Sequence, residues 1–513
     1  MDGSWWSIDL KVGGSCQGRE SGQAGTGVIM SSEDWCYDSL LTVAEKLRSG
    51  QVSPIALTEF MLERIKRLNP RFNCFLTVTP EIARRQAARA EAELRQGRCR
   101  GPLHGVPVAV KDLCFTQGIP TTGGMSFRKH FKPDADATVV RRLRDAGAVL
   151  LGKLHLAEGA SVDHDPTFGN PVNPWRDDLW TGSSSSGSGV ALAAGLCFAA
   201  VGSDTAGSIR FPSAQHGLTG LMPTRGRVSR YGVFDFAPTY DTLGPMARSA
   251  ADVAATIGVI AGHDPLDPTS LLDPVPDYLS ALGGMESLRG VRIGIDRNYN
   301  GDGAEKRIIE LLEDAVRVFE SMGAEIKPII FPDPLPMLRH TWEVQMAELA
   351  AVHARTYPAM ADRYGPRITH GLESGLRINP LDYARTVIER DRFSGLLRLT
   401  LQEVDALIMP IASFQSVTWS ELEHHLEAQT DHSRVRMQRF TTPFNASGNP
   451  TVTFAAGFSE EDRPFGIQLI GAHLSEARLL RFVHSYQAAT NWHLRWSRGA
   501  TSNSLGRVRI IQA

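Results

Sequence analysis

The amino-acid sequence predicts an α/β fold arranged as one large domain. Short apolar runs, typical of buried strands, alternate with helix-forming stretches, and this alternation is the usual pattern of an α/β core. The chain has 513 residues, of which 42% are hydrophobic, so it is long enough to bury a large core. No internal repeat and no long linker interrupts residues 100–260. We therefore expect a single mixed, twisted central sheet that carries helices on both of its faces.

The chain is expected to divide into an extension, a main domain and a tail. Residues 1–32 are rich in Gly and Ser and carry no periodic pattern, which predicts a flexible N-terminal extension. Residues 33–495 are expected to form the main domain, in which a helical arm (33–100) precedes a core (101–260). Residues 496–513 are expected to be a C-terminal tail.

Two helices are predicted in the arm. Ser53 and Pro54 are typical of a helix N-cap and a first helical position. That helix is expected to run through Leu68, with Pro70 beyond its end. Residues 81–96, rich in Ala, Arg and Glu, predict the second helix because these residues have high helix propensity.

Strands and helices continue along the main domain. Residues 106–110, with the sequence Val-Pro-Val-Ala-Val, indicate a buried strand that ends at Lys111 and Asp112. The other predicted elements are strands at 148–152, 290–295, 324–330, 407–410 and 451–454, and helices at 137–146, 305–322, within 336–402 and at 475–490.

Charge and composition exclude several classes of protein. The chain has 54 Lys and Arg against 56 Asp and Glu, so its net charge of −2 leaves no basic excess for nucleic acid or an anionic membrane. The longest apolar run, residues 190–201, has 12 residues and is too short to span a bilayer. The six cysteines lack C-x-x-C spacing, which favours reduced thiols over disulfides or a zinc site. Without a recognisable secretory signal, these features predict a cytoplasmic protein.

A serine- and glycine-rich tract, residues 181–189, runs directly into the apolar residues 190–195. A flexible linker is one interpretation of this composition. Linkers do not normally lead into a buried helix, however, and a Gly/Ser turn at a helix N-terminus brings free N–H groups to a potential site. A phosphate loop is not indicated, because no G-x-x-x-x-G-K-[ST] or G-x-G-x-x-G motif follows a strand here.

Residues 202–212 contain a candidate nucleophile, Ser208, within Asp-Thr-Ala-Gly-Ser-Ile-Arg. Small residues before Ser208 allow a sharp turn with exposed N–H groups, as an oxyanion hole requires, although an ordinary turn is the alternative. The G-x-S-x-G elbow is absent, so an α/β-hydrolase triad is not indicated. A serine nucleophile still needs a base, and the candidates are His216 and Lys111. Desolvation can make a lysine neutral, whereas pairing with Asp112 would keep Lys111 an ordinary charged residue.

Together these segments resemble the amidase signature family. The resemblance rests on Lys111 in Gly-Val-Pro-Val-Ala-Val-Lys-Asp, on the serine tract around Ser184, and on Asp-Thr-Ala-Gly-Ser-Ile-Arg around Ser208. The spacing also fits, because Ser184 follows Lys111 by 73 residues and Ser208 follows Ser184 by 24. Further similar segments lie at residues 217–224, 226–232, 241–249 and 464–471, so that the resemblance extends over residues 38–492.

The resemblance implies a Ser–cis-Ser–Lys triad with no metal and no cofactor. Ser208 would be the nucleophile, Ser184, preceded by a cis peptide bond, would relay protons, and Lys111 would be the neutral base. The residues whose N–H groups would form the oxyanion hole are Thr205, Ala206, Gly207 and Ser208. The residues that would support them are Ser185, Ser203, Asp204 and Arg210. Two positions depart from the family pattern, since Ala206 and Ser183 stand where glycines are usual.

The function implied by the resemblance is hydrolysis of the C–N bond of a linear carboxylic amide, or of a related anilide or carbamate, through a serine acyl-enzyme. The first alternative is the A subunit of the amidotransferase that corrects misacylated glutamyl-tRNA, which acts inside a complex. The second is a catalytically inactive member that serves as a binding module. A small-molecule amide is the expected partner, and a homodimer is expected from the frequency of twofold symmetry among oligomers.

Three other segments are weaker candidates. Glu423-His424-His425 has metal-ligating residue types but no H-E-x-x-H motif, and a solvated helix face is the expected setting. His164-Asp165 and Asn173-Pro174-Trp175 are expected in a loop over the site, where packing and substrate contact are equally plausible roles.

Overall fold

Apolar runs of the chain form eleven strands of one mixed sheet. The structure is a computed structural model that describes residues 32–283, 287–414, 416–427 and 437–497. The strands are β1 (Phe75–Val78), β2 (Pro107–Lys111), β3 (Val149–Leu154), β4 (Ala199–Asp204), β5 (Thr219–Met222), β6 (Thr242–Ala247), β7 (Arg292–Ile295), β8 (Glu325–Pro328), β9 (Ala406–Pro410), β10 (Thr451–Phe458) and β11 (Pro464–Ile470).

The strands follow the order β1-β3-β2-β4-β6-β5-β10-β11-β9-β7-β8 across the sheet. β2 pairs in parallel with β3 and β4, and β7 pairs in parallel with β8 and β9. The other neighbours are antiparallel. The hairpin of β10 and β11 therefore joins two groups of strands that come from earlier parts of the chain. The predicted single α/β domain with a mixed sheet is confirmed.

Fifteen α-helices lie in the described part of the chain. They are α1 (Leu40–Arg48), α2 (Pro54–Phe72), α3 (Pro80–Arg95), α4 (Thr138–Asp145), α5 (Ser186–Ala193), α6 (Arg210–His216), α7 (Ala250–Ile260), α8 (Arg297–Gly301), α9 (Lys306–Ser321), α10 (Leu335–His353), α11 (Pro366–Leu376), α12 (Pro380–Glu403), α13 (Trp419–Glu427), α14 (Thr442–Ser447) and α15 (Glu476–Ala489). The short 3-10 helices are Ser32–Tyr37, Ser126–Arg128, Glu158–Ala160, Ser280–Leu282, Ala361–Arg363 and Trp492–Leu494. Among the described helices, none has both the length and the apolar composition needed to cross a bilayer.

The alternation of side chains along β10 and β11 explains why helices cover both faces of the sheet. Phe454 of β10 contacts Phe319 of α9 and Tyr486 of α15. Successive residues of a strand point to opposite faces. Gly466 of β11 pairs with the residue after Phe454 and so belongs to the other face, where Ala214 of α6 packs directly against it. Both strands are buried along their whole length, as expected between two helical layers.

One predicted boundary is wrong, because α2 continues past Leu68 to Phe72 with Pro70 in its last turn. A proline there removes a single backbone hydrogen bond, which the end of a helix tolerates. The helix stops at Asn73, which adopts a left-handed φ of 48° and donates its N–H to the Asn69 carbonyl at 2.8 Å.

Five strands were not predicted from the sequence, namely β1, β4, β5, β6 and β11. The apolar run of residues 190–201 illustrates the reason, because it contains the end of α5 and the start of β4 without any polar boundary. The two elements are separated by Gly195, whose φ of +64° turns the chain. A continuous apolar run does not by itself distinguish helix from strand.

The helical arm is fixed to the core by a buried arginine. Arg64 of α2 donates from Nη2 to the carbonyl of Ala194 at 2.9 Å and from Nε to that of Gly195 at 3.2 Å. These carbonyls lie at the C-terminal end of α5, where a cation also complements the helix dipole. The arm therefore supports the helix that carries the serine tract at its opposite end.

Most of the predicted extension (residues 1–32) and tail (496–513) lies outside the described residues. The exceptions are Ser32, which begins a 3-10 helix, and the first two residues of the tail. Trp496 of the tail stacks on Tyr37, with ring centroids 5.1 Å apart.

Replacing Gly466 with alanine is expected to lower the free energy of unfolding by about 1–3 kcal/mol, the usual cost of overpacking. A Cβ at this position would lie 2.5 Å from Ala214 Cβ and 2.8 Å from its Cα, so α6 would have to move off the sheet. Urea unfolding measures the change. The control is Gly395→Ala in α12, where a Cβ meets nothing within 4 Å. That control is expected to add about 0.5–1 kcal/mol through helix propensity. An unchanged urea midpoint for Gly466→Ala would contradict this packing.

Candidate active site

The carboxyl ends of β2 and β4 bring the predicted base and the nucleophile loop to one edge of the sheet. These strands are parallel neighbours, with Val110 beside Val201. Parallel strands present their carboxyl ends at the same edge, where α/β proteins commonly bind ligands. β2 ends at Lys111, and β4 ends at Asp204, four residues before Ser208.

Lys111 is fully buried and contacts two serines. Its Nζ donates to Ser184 Oγ at 2.7 Å and to Ser203 Oγ at 2.8 Å. Burial lowers the pKa of Lys111 to about 7, although the carboxylates of Asp204 and Asp241 act in the opposite direction. A lysine with a pKa near neutrality is suited to accept a proton.

Asp112 pairs with a different lysine. Its Oδ1 lies 2.9 Å from Nζ of Lys153 on β3, and both side chains are fully buried. Its Oδ2 accepts hydrogen bonds from Thr122 N at 2.8 Å and from Thr122 Oγ1 at 2.6 Å. Lys153 also donates to Thr121 Oγ1 at 2.8 Å. Within the described residues, Lys111 therefore has no ion pair with Asp112, and the alternative interpretation of Lys111 is wrong.

The serine tract is a buried turn that leads into α5, so the linker interpretation is wrong. The peptide bond between Ser183 and Ser184 is cis. Ser185 Oγ donates to the Ser203 carbonyl at 3.1 Å and accepts from Ser203 N at 3.3 Å. Ser185 N donates to the Ser208 carbonyl at 3.3 Å. These bonds hold the tract against β4 and the nucleophile loop.

Asp204 organises the loop that carries Ser208. Its Oδ1 accepts from Gly207 N at 2.7 Å, and its Oδ2 accepts from Ile209 N at 3.0 Å. Arg210 donates to the same carboxylate from Nε at 3.0 Å and from Nη2 at 2.9 Å. Burial alone would raise the pKa of Asp204, but the ion pair and hydrogen bonds with Arg210 outweigh it and lower this pKa to about 2. The loop is therefore built around a charged, water-excluded ion pair.

The four predicted oxyanion-hole amides differ in their contacts. The Gly207 N–H is already bonded to Asp204 at 2.7 Å. Among the described residues, the N–H groups of Thr205, Ala206 and Ser208 have no acceptor. Thr205 is held in place by its Oγ1, which donates to Asp241 Oδ1 at 2.5 Å. Three amides thus stay available for a ligand oxygen.

Neither of the two residues that depart from the family pattern, Ala206 and Ser183, adopts a left-handed φ. Glycine is instead required at the two neighbouring positions, Gly207 and Gly182. Gly207 has a φ of +121°, and a Cβ there would lie 2.5 Å from the Phe211 ring. Gly182 has a φ of +69°, and a Cβ there would lie 2.6 Å from the backbone of α6.

Polar residues from the C-terminal part of the chain, which no sequence motif predicted, also support the loop. Asn445 of α14 donates from Nδ2 to Asp204 Oδ1 at 2.9 Å and accepts from Arg210 Nη2 at 2.5 Å. Arg210 Nη1 donates to the Thr441 carbonyl at 2.9 Å, and Thr441 Oγ1 donates to the Ala206 carbonyl at 2.7 Å. No local pattern marks these residues, since they lie more than 230 positions from the loop.

His216 is not placed to act as the base. Its Nδ1 lies 2.8 Å from the Pro212 carbonyl within the same helix, and burial lowers the pKa of His216 to about 4. The ring packs against Gly189, where an added Cβ would lie 2.5 Å from Nδ1. His216 is therefore a core residue that packs α6 against α5.

His164 lies beside the serine tract, whereas Asn173 serves packing. His164 Nε2 is 2.7 Å from Ser186 Oγ. Burial first, and then the proximity of His155 and Lys111, lowers the pKa of His164 to about 3, so its ring is neutral. Asn173 is buried and donates from Nδ2 to the Trp180 carbonyl at 3.2 Å.

The His-rich segment on α13 shows no metal site. Glu423 and His424 are exposed on this helix, and the His425 side chain lies outside the described residues. The part of the chain that the structure describes contains no group of three or more His, Cys, Asp or Glu residues placed to hold a metal ion.

A narrow cavity of about 10 Å³ adjoins Ser203 and Thr205. This volume is enough for about one water molecule. Its apolar wall includes Phe234, Phe236 and Leu243. Its polar wall includes the ion pair of Arg230 and Asp235, whose Nη1 and Oδ1 are 2.5 Å apart.

Known proteins match most of this chain. The family model Amidase matches residues 56–480. The AmiD protein of Mycobacterium tuberculosis (strain ATCC 25618 / H37Rv), named as an amidase, is 41% identical over 456 residues, covering 89% of this chain and 95% of that protein. The A subunit of the glutamyl-tRNA(Gln) amidotransferase of Hahella chejuensis (strain KCTC 2396) is 39% identical over 485 residues, with 88% and 96% covered. The structure of 6-aminohexanoate cyclic dimer hydrolase complexed with substrate matches with a TM-score of 0.81 at 28% identity, covering 91% of this chain and 100% of that chain.

The substitution Asp204→Asn is expected to lower the free energy of unfolding by about 3–5 kcal/mol, because it leaves the buried guanidinium of Arg210 without a counter-charge. Chemical denaturation measures the loss. The control is Glu59→Gln, which removes an exposed ion pair with Arg84 at 2.7 Å and is expected to leave the unfolding midpoint almost unchanged. Equal midpoints for the two variants would show that Asp204 does not support the loop as described.

Proposed function

We propose that this chain, which belongs to the amidase family, hydrolyses the C–N bond of a linear carboxylic amide with Ser208 as the nucleophile. The observation that carries the proposal is the contact of 2.7 Å between the buried Lys111 Nζ and Ser184 Oγ. The serine tract also contacts the residue proposed as the nucleophile, because Ser185, which follows Ser184, donates its N–H to the Ser208 carbonyl. Base, relay and nucleophile therefore come from three segments that meet at one sheet edge.

Acylation begins when Ser208 Oγ attacks the carbonyl carbon of the amide. The hydroxyl proton passes to Ser184, which gives its own proton to neutral Lys111. The carbonyl oxygen becomes negatively charged and is received by the free N–H groups of Thr205, Ala206 and Ser208. The proton on Lys111 then returns through Ser184 to the amine or ammonia, the C–N bond breaks, and an acyl ester on Ser208 remains.

Deacylation uses the same groups with water as the nucleophile. Water attacks the ester carbon and loses a proton through Ser184 to Lys111. The proton returns to Ser208 Oγ as the ester bond breaks, so the acid leaves and the free enzyme is restored. In each half-reaction the base must be neutral at the start, which the burial of Lys111 favours by lowering its pKa to about 7.

A second candidate is the A subunit of a glutamine-dependent amidotransferase, and the 39% identity to one such protein supports it. The same residues would then release ammonia from glutamine inside a complex. Activity of the purified chain on simple amides favours the free-standing amidase, whereas activity on glutamine alone, or only with partner proteins, favours the second candidate. An inactive binding module is the weakest candidate, because Lys111, Ser184 and Ser208 are all present.

Ser208→Ala and Lys111→Ala are each expected to reduce amide hydrolysis by about 10³-fold or more, because each removes a group that the triad uses as a unit. The measurement is release of ammonia or amine from a panel of aliphatic amides, aryl amides, anilides, carbamates and glutamine. Matched controls are Ser321→Ala and Lys327→Ala, which lie on the surface elements α9 and β8. Near-normal turnover in either triad variant would refute the mechanism.

The rate is expected to depend on pH through Lys111. Since only the neutral amine accepts a proton, kcat/KM should rise about tenfold per pH unit below pH 7 and level off above it, following the pKa of about 7. The profile is measured with a neutral amide, so that the substrate itself does not titrate. A rate that is flat, or that falls, as the pH rises from about 5 to 7 would show that another group is the base.

A further inference from the structure

Asp241 is a buried carboxylate that lies directly beside the predicted oxyanion-hole residues. β4 and β6 are antiparallel, and Asp204, the last residue of β4, pairs with Thr242, the first residue of β6. The same register continues one residue further and brings Thr205 next to Asp241. Thr205 Oγ1 donates to Asp241 Oδ1 at 2.5 Å, and both residues line the narrow cavity beside Ser203. Asp241 has no part in the reaction steps proposed above.

Backbone groups hold the other oxygen of the Asp241 carboxylate. Its Oδ2 accepts hydrogen bonds from Phe236 N at 2.7 Å and from Ala237 N at 3.1 Å. The Asp241 N–H in turn donates to the Ala237 carbonyl at 2.9 Å, so the carboxylate closes a tight turn. A carboxylate that two backbone groups hold at one oxygen keeps its other oxygen in a fixed place. The Thr205 hydroxyl therefore has a rigid partner.

Thr205 joins the two peptide units whose N–H groups are proposed to face the carbonyl oxygen of the substrate. A peptide unit is planar, so a contact that holds its carbonyl also orients the N–H on its opposite side. The Asp204 carbonyl accepts from Asn445 Nδ2 at 3.1 Å, which orients the Thr205 N–H. The Thr205 carbonyl accepts from Gln345 Nε2 at 3.3 Å, which orients the Ala206 N–H. The bond from the Thr205 hydroxyl holds the residue between these two units.

The charge of Asp241 also acts on Lys111. Burial lowers the pKa of Lys111 to about 7, and the carboxylates of Asp204 and Asp241 oppose this fall. The charge of Asp204 is balanced by its ion pair with Arg210 at 2.9 Å. Asp241 has no ion pair with any residue that the structure describes. Asp241 is therefore the less compensated of the two carboxylates that favour a positive charge on Lys111.

Three other charged side chains surround Asp241. Arg230 and Asp235 pair with each other at 2.5 Å and line the same cavity, and Glu348 of α10 acts on the charge of Asp235. Burial first, and then the charge of Asp235, raises the pKa of Asp241 to about 7, whereas nearby hydrogen-bond donors and Arg230 act in the opposite direction. Asp241 is therefore mainly charged above pH 7, where Lys111 is mainly neutral.

We propose that Asp241 is a positioning residue of this hydrolysis, an inference that rests on the proposed function. Its carboxylate holds Thr205 so that the N–H groups of Thr205 and Ala206 point at the oxygen that becomes negative. Its charge also stabilises the protonated form of Lys111 in each half-reaction. Asp241 acts through these residues and exchanges no proton with the substrate.

Steady-state kinetics of Asp241→Asn in the full chain test this role. Asparagine has the same shape without the charge, so kcat is expected to fall about tenfold or more while KM changes by less than about threefold. Loss of the carboxylate also makes protonated Lys111 less stable. The acid limb of kcat/KM should therefore move to lower pH by about half a unit or more. Loss of structural support alone would not move this limb.

Substitutions of Thr205 test the hydrogen bond separately. Thr205→Val keeps the branched shape but removes the donor, so kcat should fall about tenfold with little change in KM. Thr205→Ser keeps the hydroxyl and should retain most of the activity. This pair decides the outcome if Asp241→Asn fails to fold. The control is Asp252→Asn on α7, a buried carboxylate that accepts from Leu41 N at 3.4 Å and should leave kcat and the acid limb unchanged.

Inactivation by a fluorophosphonate measures the same groups without an amide substrate. Ser208 Oγ attacks phosphorus and forms a P–O bond, the P–F bond breaks, fluoride leaves with the electron pair, and the hydroxyl proton passes through Ser184 to Lys111. A phosphoryl oxygen then occupies the oxyanion hole. The rate of inactivation should therefore fall in Asp241→Asn and Thr205→Val as kcat does.

The two reactions separate failure of this inference from failure of the proposed function. Amide hydrolysis with the same kcat and the same acid limb in Asp241→Asn overturns the inference and leaves the proposed function intact. Inactivation without hydrolysis of any amide counts against the proposed function, and the inactivation rates of the variants then decide the role of Asp241. An unsubstituted chain that shows neither reaction overturns both.

Discussion

The arrangement of residues around Ser208 depends on one carboxylate that is excluded from water. Asp204 receives hydrogen bonds from the backbone of the nucleophile loop and from the guanidinium of Arg210, and both side chains are fully buried. A buried ion pair is stable only when its remaining donors and acceptors are also satisfied. Asn445 and Thr441 supply those contacts from a distant segment. The position of Ser208 is therefore determined by the whole fold more than by the local turn.

Two buried lysines on neighbouring strands show how the same residue type acquires different properties. Lys153 lies 2.9 Å from Asp112, and this carboxylate balances its charge. Lys111 has two serine hydroxyls as its hydrogen-bond partners, so burial acts on its charge without a carboxylate in contact, and its pKa falls to about 7. The order Lys-Asp at the end of β2 suggests pairing of adjacent residues. The pleat of the strand instead sends the two side chains to opposite sides, where they meet different partners.

The sequence contained enough local information to predict the α/β class, most helices and strands, and the residues that meet at the site. Those residues belong to motifs with fixed spacing, such as Ser184 and Ser208. It did not reveal β4, because the apolar run of residues 190–201 changes from helix to strand without a polar boundary. It also did not reveal Asn445, because its partners Asp204 and Arg210 lie more than 230 positions away and are brought to it only by tertiary folding.

The place of the last hairpin in the sheet has a consequence for synthesis of the chain on the ribosome. Strands β1 to β6 and strands β7 to β9 form the two sides of the sheet, and residues 451–470 lie between them. At about 5–20 residues per second, translation exposes both sides well before the segment that joins them emerges. Until then the edges of β5 and β9 have unpaired backbone groups, which are prone to wrong pairing. The nascent protein therefore carries Lys111, Ser184 and Ser208 for about ten seconds or more before it has a continuous sheet to support them.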